Sequence, residues 1–318
     1  MKEESFKLQG IAPWRSLNRR FGKAEAGAIP EKGMDIHMKQ RIITSFVCLV
    51  ILFAVLAFFD TWLFNLVIAA IAALALYELL GAVHCRGILS LNLVCCLYGA
   101  AIPFIPHGMT STLLAPLTAV YIFLLFLILL REHRRVSAQQ IGFCFFVSLA
   151  VPFAMSTTVY LRQREGWPVA LGLILVALSG AWMSDTGAYF TGRFLGRHKL
   201  APEISPKKTV EGAIGGVVVC VVFTLLILWG YAAICGQFFG VRLAVHYGTL
   251  ALIMPLVSVS GMLGDLSASV IKRQGGLKDY GTIFPGHGGI MDRFDSALFT
   301  MPTVFLLSHY LTIIGLAA

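Results

Sequence analysis

The sequence predicts an all-α, polytopic integral membrane protein of about nine transmembrane helices, with its N-terminus cytoplasmic and its C-terminus outside. Three observations carry this. First, 58% of the 318 residues are hydrophobic and only 13% are charged, against about a quarter charged in soluble domains. Second, apolar runs of bilayer length, roughly 17 to 25 residues, recur along the chain. Third, lysine and arginine are distributed very unevenly between alternate connections.

The chain divides into a basic tail (1–40), a first group of spans (41–165) and a C-terminal region (166–318) that holds most of the polar residues. In the tail, Ile11, Trp14, Leu17 and Phe21 fall at helical spacing beside Arg15, Arg19 and Arg20. That pattern fits a helix lying on an anionic membrane surface, and a disordered tail fits equally well. No small-residue cleavage site follows the first apolar run, so it is expected to remain as an anchor.

Spans are expected near 42–59, 61–82, 88–106, 111–130, 140–160, 168–191, 211–233, 247–265 and 295–315. Only Asp60 and Thr61 separate the first two, which makes a tight helical hairpin, and Pro103 and Pro106 help to close the third. With the N-terminus inside, 22 of the 25 Lys and Arg face inward, leaving Arg162, Arg164 and Arg242 outside. This split supports the orientation, and it explains the formal charge of +9 more simply than a nucleic-acid partner does. The seven cysteines lie in or beside apolar runs without a C-x-x-C pair and read as small buried residues.

Two polar stretches fall on the inward side, 179–216 and 260–296. In the second, Asp265, Asp279, Asp292 and Asp295 alternate with Lys272, Arg273, Lys278, His287 and Arg293, separated by Gly275, Gly276, Gly281, Pro285, Gly286, Gly288 and Gly289. An ionised carboxylate at membrane depth is costly unless paired or bound to a cation. Hard oxygen donors of this kind suit Mg²⁺ held together with substrate phosphates. The alternative is structural ion pairing with Arg293 or Lys272. Asp185, late in an apolar span, carries the same cost and is followed by a dense cationic loop suited to phosphates. Ser205-Pro206-Lys207-Lys208-Thr209 ends like a P-loop but lacks its glycines. Gly212 and Gly216 read as helix packing. Glu78, a third intramembrane acid, reads as a satisfied residue near the interface rather than a member of a site.

The run Ser269-Val270-Ile271-Lys272-Arg273, Lys278-Asp279, Pro285-Gly286-His287-Gly288-Gly289, Asp292-Arg293-Phe294-Asp295 closely resembles the signature of the phosphatidate cytidylyltransferases, or CDP-diacylglycerol synthases. Residues from Asp185 through Gly216 resemble that family's D-x-x-A-Y and S-P-x-K-T-x-E-G elements. The similarity covers roughly the C-terminal 140 residues. It departs from the pattern after Gly264-Asp265-Leu266, where Ser267 and Ala268 replace the usual aromatic and glutamate.

The resemblance implies attack of phosphatidic acid on the α-phosphorus of CTP, with Mg²⁺ required and a second cation left open. It implies Asp265 and Asp292 as metal ligands with Asp295 assisting. It places Ser205, Lys207, Lys208 and Thr209 on the triphosphate, and Lys272, Arg273 and Arg293 on the headgroup or pyrophosphate. His287, Lys278, Asp279, Gly288 and Gly289 would line the site, and Asp185 would lie near nucleotide or metal. A homodimer is compatible with all of this. The rivals are another CTP-dependent lipid enzyme such as a polyprenol kinase and, from a different class, a cation-coupled transporter. A transporter is disfavoured because the polar residues cluster on one face without an internal repeat. CDP-alcohol phosphotransferases are disfavoured because their D-G-x-x-A-R arrangement is missing around Asp185 and Asp292.

Overall fold

The computed structural model describes Val55, residues 58–284 and residues 288–317. The expected tail helix, nearly all of the first span and His287 lie outside the described residues. From there the chain is a helical bundle whose polar residues collect at one end.

Helix α1 (Trp62–Ala82) begins where Thr61 accepts the Leu63 N–H, the sort of N-cap that follows a tight hairpin. Helix α2 (Leu89–Ala101) stops at a short 3₁₀ turn containing Pro103, as the prolines require. Helix α3 (Ala115–Arg131) leads to α4 (Ala138–Glu165), which Ser137 and Gln140 open with a reciprocal capping box. A single residue, Gly166 at φ 76°, separates α4 from α5 (Trp167–Leu195). A two-stranded antiparallel ribbon follows, β1 (Lys199–Ala201) with β2 (Ser205–Thr209), then α6 (Val210–Phe238). Strand β3 (Leu243–Val245) precedes α7 (Tyr247–Gln274). The chain closes with a one-turn helix α8 (Met291–Phe294), α9 (Ala297–Tyr310) and β4 (Ile314–Leu316), which pairs with β3.

Six of the described helices are long and apolar enough to cross a membrane, those based on α1 and α3 through α7. The expected span 88–106 is represented by a shorter apolar stretch, Leu89–Phe104. The expected span 295–315 is a 14-residue helix, about 21 Å long. It ends because the chain turns extended at Leu311 and enters the β3–β4 ribbon. Both ribbons go beyond the all-α expectation. The ends of α5 and α7 also differ from it: each helix runs on past the expected boundary, α7 by nine residues beyond Asp265.

The tightest packing joins α5 to α6, and here the reading of Gly212 and Gly216 holds. A Cβ on Gly212 would lie 2.8 Å from the Ala188 carbonyl oxygen, and one on Gly216 would lie 2.7 Å from that of Ser184. Small residues let the backbones touch, and hydroxyl pairs then bond across the bundle: Ser179 with Thr224 and Ser184 with Ser258, each at 2.7 Å. Cys85, Cys95, Cys144, Cys220 and Cys235 are buried, and no disulfide joins the described cysteines. Outward faces of α3 and α6 are apolar, with Phe123, Phe126, Leu226 and Trp229 exposed, as suits lipid contact.

At one end, Arg162 donates to the Phe59 and Thr61 carbonyls and to the Asn65 side-chain oxygen, while Arg164 reaches Ser308. The β3–β4 ribbon lies there too, where the Arg242 carbonyl accepts the Ala317 N–H. Glu165 pairs with Arg164 there, whereas Asp185, Asp265, Asp292 and Asp295 gather with Lys208 and Lys272 at the other end.

Gly216→Val forces Cβ against a backbone carbonyl that cannot yield cheaply. Overpacking of this kind costs about 1–3 kcal/mol. The expected result is a lower thermal unfolding midpoint in detergent, followed by intrinsic fluorescence.

Candidate active site

Three carboxylates converge from different helices. Asp185 lies ten residues before the end of α5, and Asp265 nine residues before the end of α7, so each sits about 14–15 Å below its helix terminus. Asp295, 9% exposed, occupies the turn between α8 and α9. Gly264 brings α7 against this turn: a Cβ there would fall 2.5 Å from the Asp295 carbonyl oxygen. Asp265 is close enough to Asp185 and Asp295 for its charge to act on both. Ser296 ties the group together, its hydroxyl donating to Asp185 at 3.1 Å and its N–H to the Asp295 carboxylate at 2.8 Å.

The β1–β2 ribbon brings the first cation. Lys208, half-buried on β2, contacts the Asp265 carboxylate. Ser205 is half-buried on the same strand, and Lys207 points to solvent. Thr209 is buried and caps α6, its hydroxyl oxygen accepting the Gly212 N–H at 3.1 Å. The ribbon is held down by Glu211, whose carboxylate accepts the N–H groups of Arg197 and His198 at 3.0 and 3.1 Å.

The loop from Gly275 to Ile290 is organised by Asp292. One oxygen of this carboxylate takes the Lys272 ammonium at 2.9 Å. The other accepts the N–H groups of Tyr280 at 2.8 Å and Gly289 at 2.9 Å. The ion pair with Lys272 is the structural alternative that the sequence left open. The Lys272 ammonium also lies 5.3 Å from the Tyr280 ring centroid, and the Tyr280 hydroxyl donates to Ala268. Arg273 is half-buried and bonded to the Leu277 carbonyl at 3.3 Å. Lys278, Asp279 and Arg293 are exposed on the same loop and on α8, and Gly288 adopts φ 82°.

Many of the expected residues, with Ser296 and Tyr280 added, are therefore drawn together in two groups. Asp185, Lys208, Asp265, Asp295 and Ser296 surround the carboxylate cluster; Lys272, Tyr280, Gly289 and Asp292 build the wall of the loop. Hard oxygen donors in the first group are chemically suited to a divalent cation with phosphates. Among the described residues, however, no three acids are drawn into a single metal shell as they stand, and Lys208 occupies the face of Asp265. Three participants were missed by the sequence reading. Ser296 follows the signature directly, Tyr280 sits in its spacer between Asp279 and Pro285, and Glu78 lies in a helix with no motif. Only Glu78 announced itself, as a charge in an apolar run.

The family model described as Cytidylyltransferase family matches residues 39–311. The chain belongs to this family. The match reaches back well beyond the C-terminal stretch that carried the motifs. Similar proteins named phosphatidate cytidylyltransferase include one from Bacillus subtilis (strain 168), 35% identical over 278 residues, covering 86% of this chain and 98% of the relative. One from Staphylococcus haemolyticus (strain JCSC1435) is 34% identical over 274 residues, with 85% and 98% covered. One from Staphylococcus saprophyticus is 35% identical over 276 residues, again with 85% and 98% covered. In this chain the α6 cap sits at the foot of the β1–β2 ribbon.

Thr209→Ala removes that cap, at a cost of about 1 kcal/mol. A lowered unfolding midpoint, restored by Thr209→Ser, is the expected outcome in detergent-solubilised protein.

Proposed function

We propose that this chain is a phosphatidate cytidylyltransferase, converting CTP and phosphatidic acid to CDP-diacylglycerol and pyrophosphate. The observation that carries the reading is the recessed cluster of Asp185, Asp265 and Asp295, flanked by Lys208 and Lys272. It is built from the two stretches that resemble the family, in a chain similar along most of its length to proteins of that name.

In this reaction an oxygen of the lipid phosphate attacks the α-phosphorus of CTP. The bond from that phosphorus to the bridging oxygen breaks, and pyrophosphate leaves. The attacking group is the substrate's own ionised phosphate, so no side-chain nucleophile and no general base are required. The task left to the protein is to bring two anions together in line and neutralise them. Lys208, with Ser205, Lys207 and Thr209, is assigned to the triphosphate. Lys272, Arg273 and Arg293 are assigned to the lipid headgroup and the departing pyrophosphate. Lys278, Asp279, His287, Gly288 and Gly289 line the loop side.

Asp265 and Asp295, with Asp185 beside them and Asp292 on the loop, are the residues that would hold Mg²⁺. When bound, the ion supplies positive charge against the phosphates. Lys208 and Lys272 then exchange carboxylate partners for phosphate ones.

In the topology proposed here nine spans place the N-terminus and the site on the cytoplasmic side of the cell membrane, with the motif-bearing region spanning 166–318. The grouping of Arg162, Arg164 and Arg242 at the end away from the site supports this orientation. The basic surplus is assigned to the membrane face and to phosphates, not to nucleic acid.

Purified protein in mixed micelles of phosphatidic acid, given labelled CTP with and without Mg²⁺, tests the reaction. Metal-dependent entry of α-phosphate label into lipid with matching pyrophosphate is expected; transfer of γ-phosphate label to a lipid alcohol would favour a kinase, and no turnover would remove the reading. Asp292→Asn is expected to abolish turnover while the protein still elutes as a folded species, and near-normal activity would take Asp292 out of the site.

A further inference from the structure

Glu78 lies four residues from the end of α1, on a helix of the half that carries no motif, and is 1% exposed. A buried carboxylate needs partners, and which partners it has is informative. One oxygen accepts the N–H of Ile290 at 3.0 Å; the other accepts the N–H of Met291 at 2.8 Å. These are the two backbone groups immediately before Asp292, more than two hundred residues away in sequence.

The loop is shaped around this contact on both limbs. A Cβ on Gly289 would fall 2.3 and 2.4 Å from the two Glu78 oxygens, and one on Gly281 would fall 2.3 Å from the first. Asp292 takes the neighbouring N–H groups, those of Tyr280 and Gly289. Glu78 and Asp292 therefore divide consecutive donors between them: Gly289 to Asp292, then Ile290 and Met291 to Glu78. A core acid that only needed satisfying could have used donors on any adjacent helix. This one uses the backbone that sets the direction of α8, and with it the bearings of Asp292 and Asp295.

We infer that Glu78 is a positioning residue for the transfer site. Its carboxylate fixes residues 289–291 and, through them, the orientation in which Asp292 and Asp295 present their oxygens. The inference rests on the reaction proposed above, so its test carries a readout independent of turnover.

Two variants address it. Glu78→Gln keeps shape but turns an amide NH₂ towards an N–H donor. Gly281→Ala retains Glu78 and pushes its oxygens aside. For each, amide hydrogen exchange of peptides covering 288–296 is compared with the unaltered full-length protein, alongside kcat, KM for CTP and the Mg²⁺ concentration giving half-maximal rate. In Glu78→Gln, faster exchange confined to 288–296 is expected, with kcat lowered about 10- to 100-fold, a higher Mg²⁺ requirement and a smaller change in KM. Gly281→Ala is expected to move the same quantities in the same direction by less.

Unchanged exchange would overturn the inference, and so would faster exchange with unchanged kcat. Should Glu78→Gln fail to yield folded protein, Gly281→Ala decides by the same readouts. If the unaltered protein makes no CDP-diacylglycerol, the reaction is what fails, and exchange at 288–296 alone then upholds or overturns the clasp.

Discussion

Every ionised carboxylate buried in this bundle has to be met by a donor or a cation, and the arrangement of the polar end follows from meeting that demand. The solutions differ from acid to acid. Asp292 is met by one ammonium and two backbone N–H groups, and Glu78 by two backbone N–H groups. Asp265 is met by Lys208 and Asp185 by a single hydroxyl. Among the described residues, Asp295 has only the N–H of the next residue. Glu78 is a structural solution that spends its lone pairs on backbone, and Asp292 opens towards a cation only when Lys272 turns to a phosphate. The last three leave oxygen valences unspent, which is the condition for meeting an incoming cation.

The spans were legible because a bilayer demands about twenty apolar residues in a row, and α1 and α3 through α6 answer to that pattern. Their ends were not. Helix α7 continues past Asp265 because Ala268 is buried under Tyr280 and Lys272 pairs with Asp292, and a helix whose polar side is partnered no longer has to be apolar. Nor could the last helix be read correctly. Ile313, Ile314 and Leu316 look the same to a hydropathy count whether they extend a helix or pair with Leu243 and Val245.

Much of the candidate site was legible too. The cost of charge at depth singled out Asp185 and Asp265, and the family resemblance supplied Lys208, Lys272 and Asp292 in a connected set. Glu78 was noticed but assigned the plainer role, because its donors are backbone atoms of a loop some 210 residues downstream and no side-chain pattern encodes them. This contact also qualifies the division at residue 165. The region carrying the motifs does not complete its own loop; a helix from the first group of spans does so. Packing says the same, since Met155, Val159 and Leu161 share one apolar core with residues of α5, α7 and α9.

The short last helix has a geometric consequence. Asp185 and Asp265 each stand eighteen residues from the start of their helices, about 27 Å of rise. Helix α9 is pinned at its far end by the β3–β4 ribbon and rises only about 21 Å before the chain reaches Ser296 and Asp295. The length of α9 thus sets how far Ser296 and Asp295 stand from the ribbon, while α5 and α7 run on for ten and nine residues beyond Asp185 and Asp265.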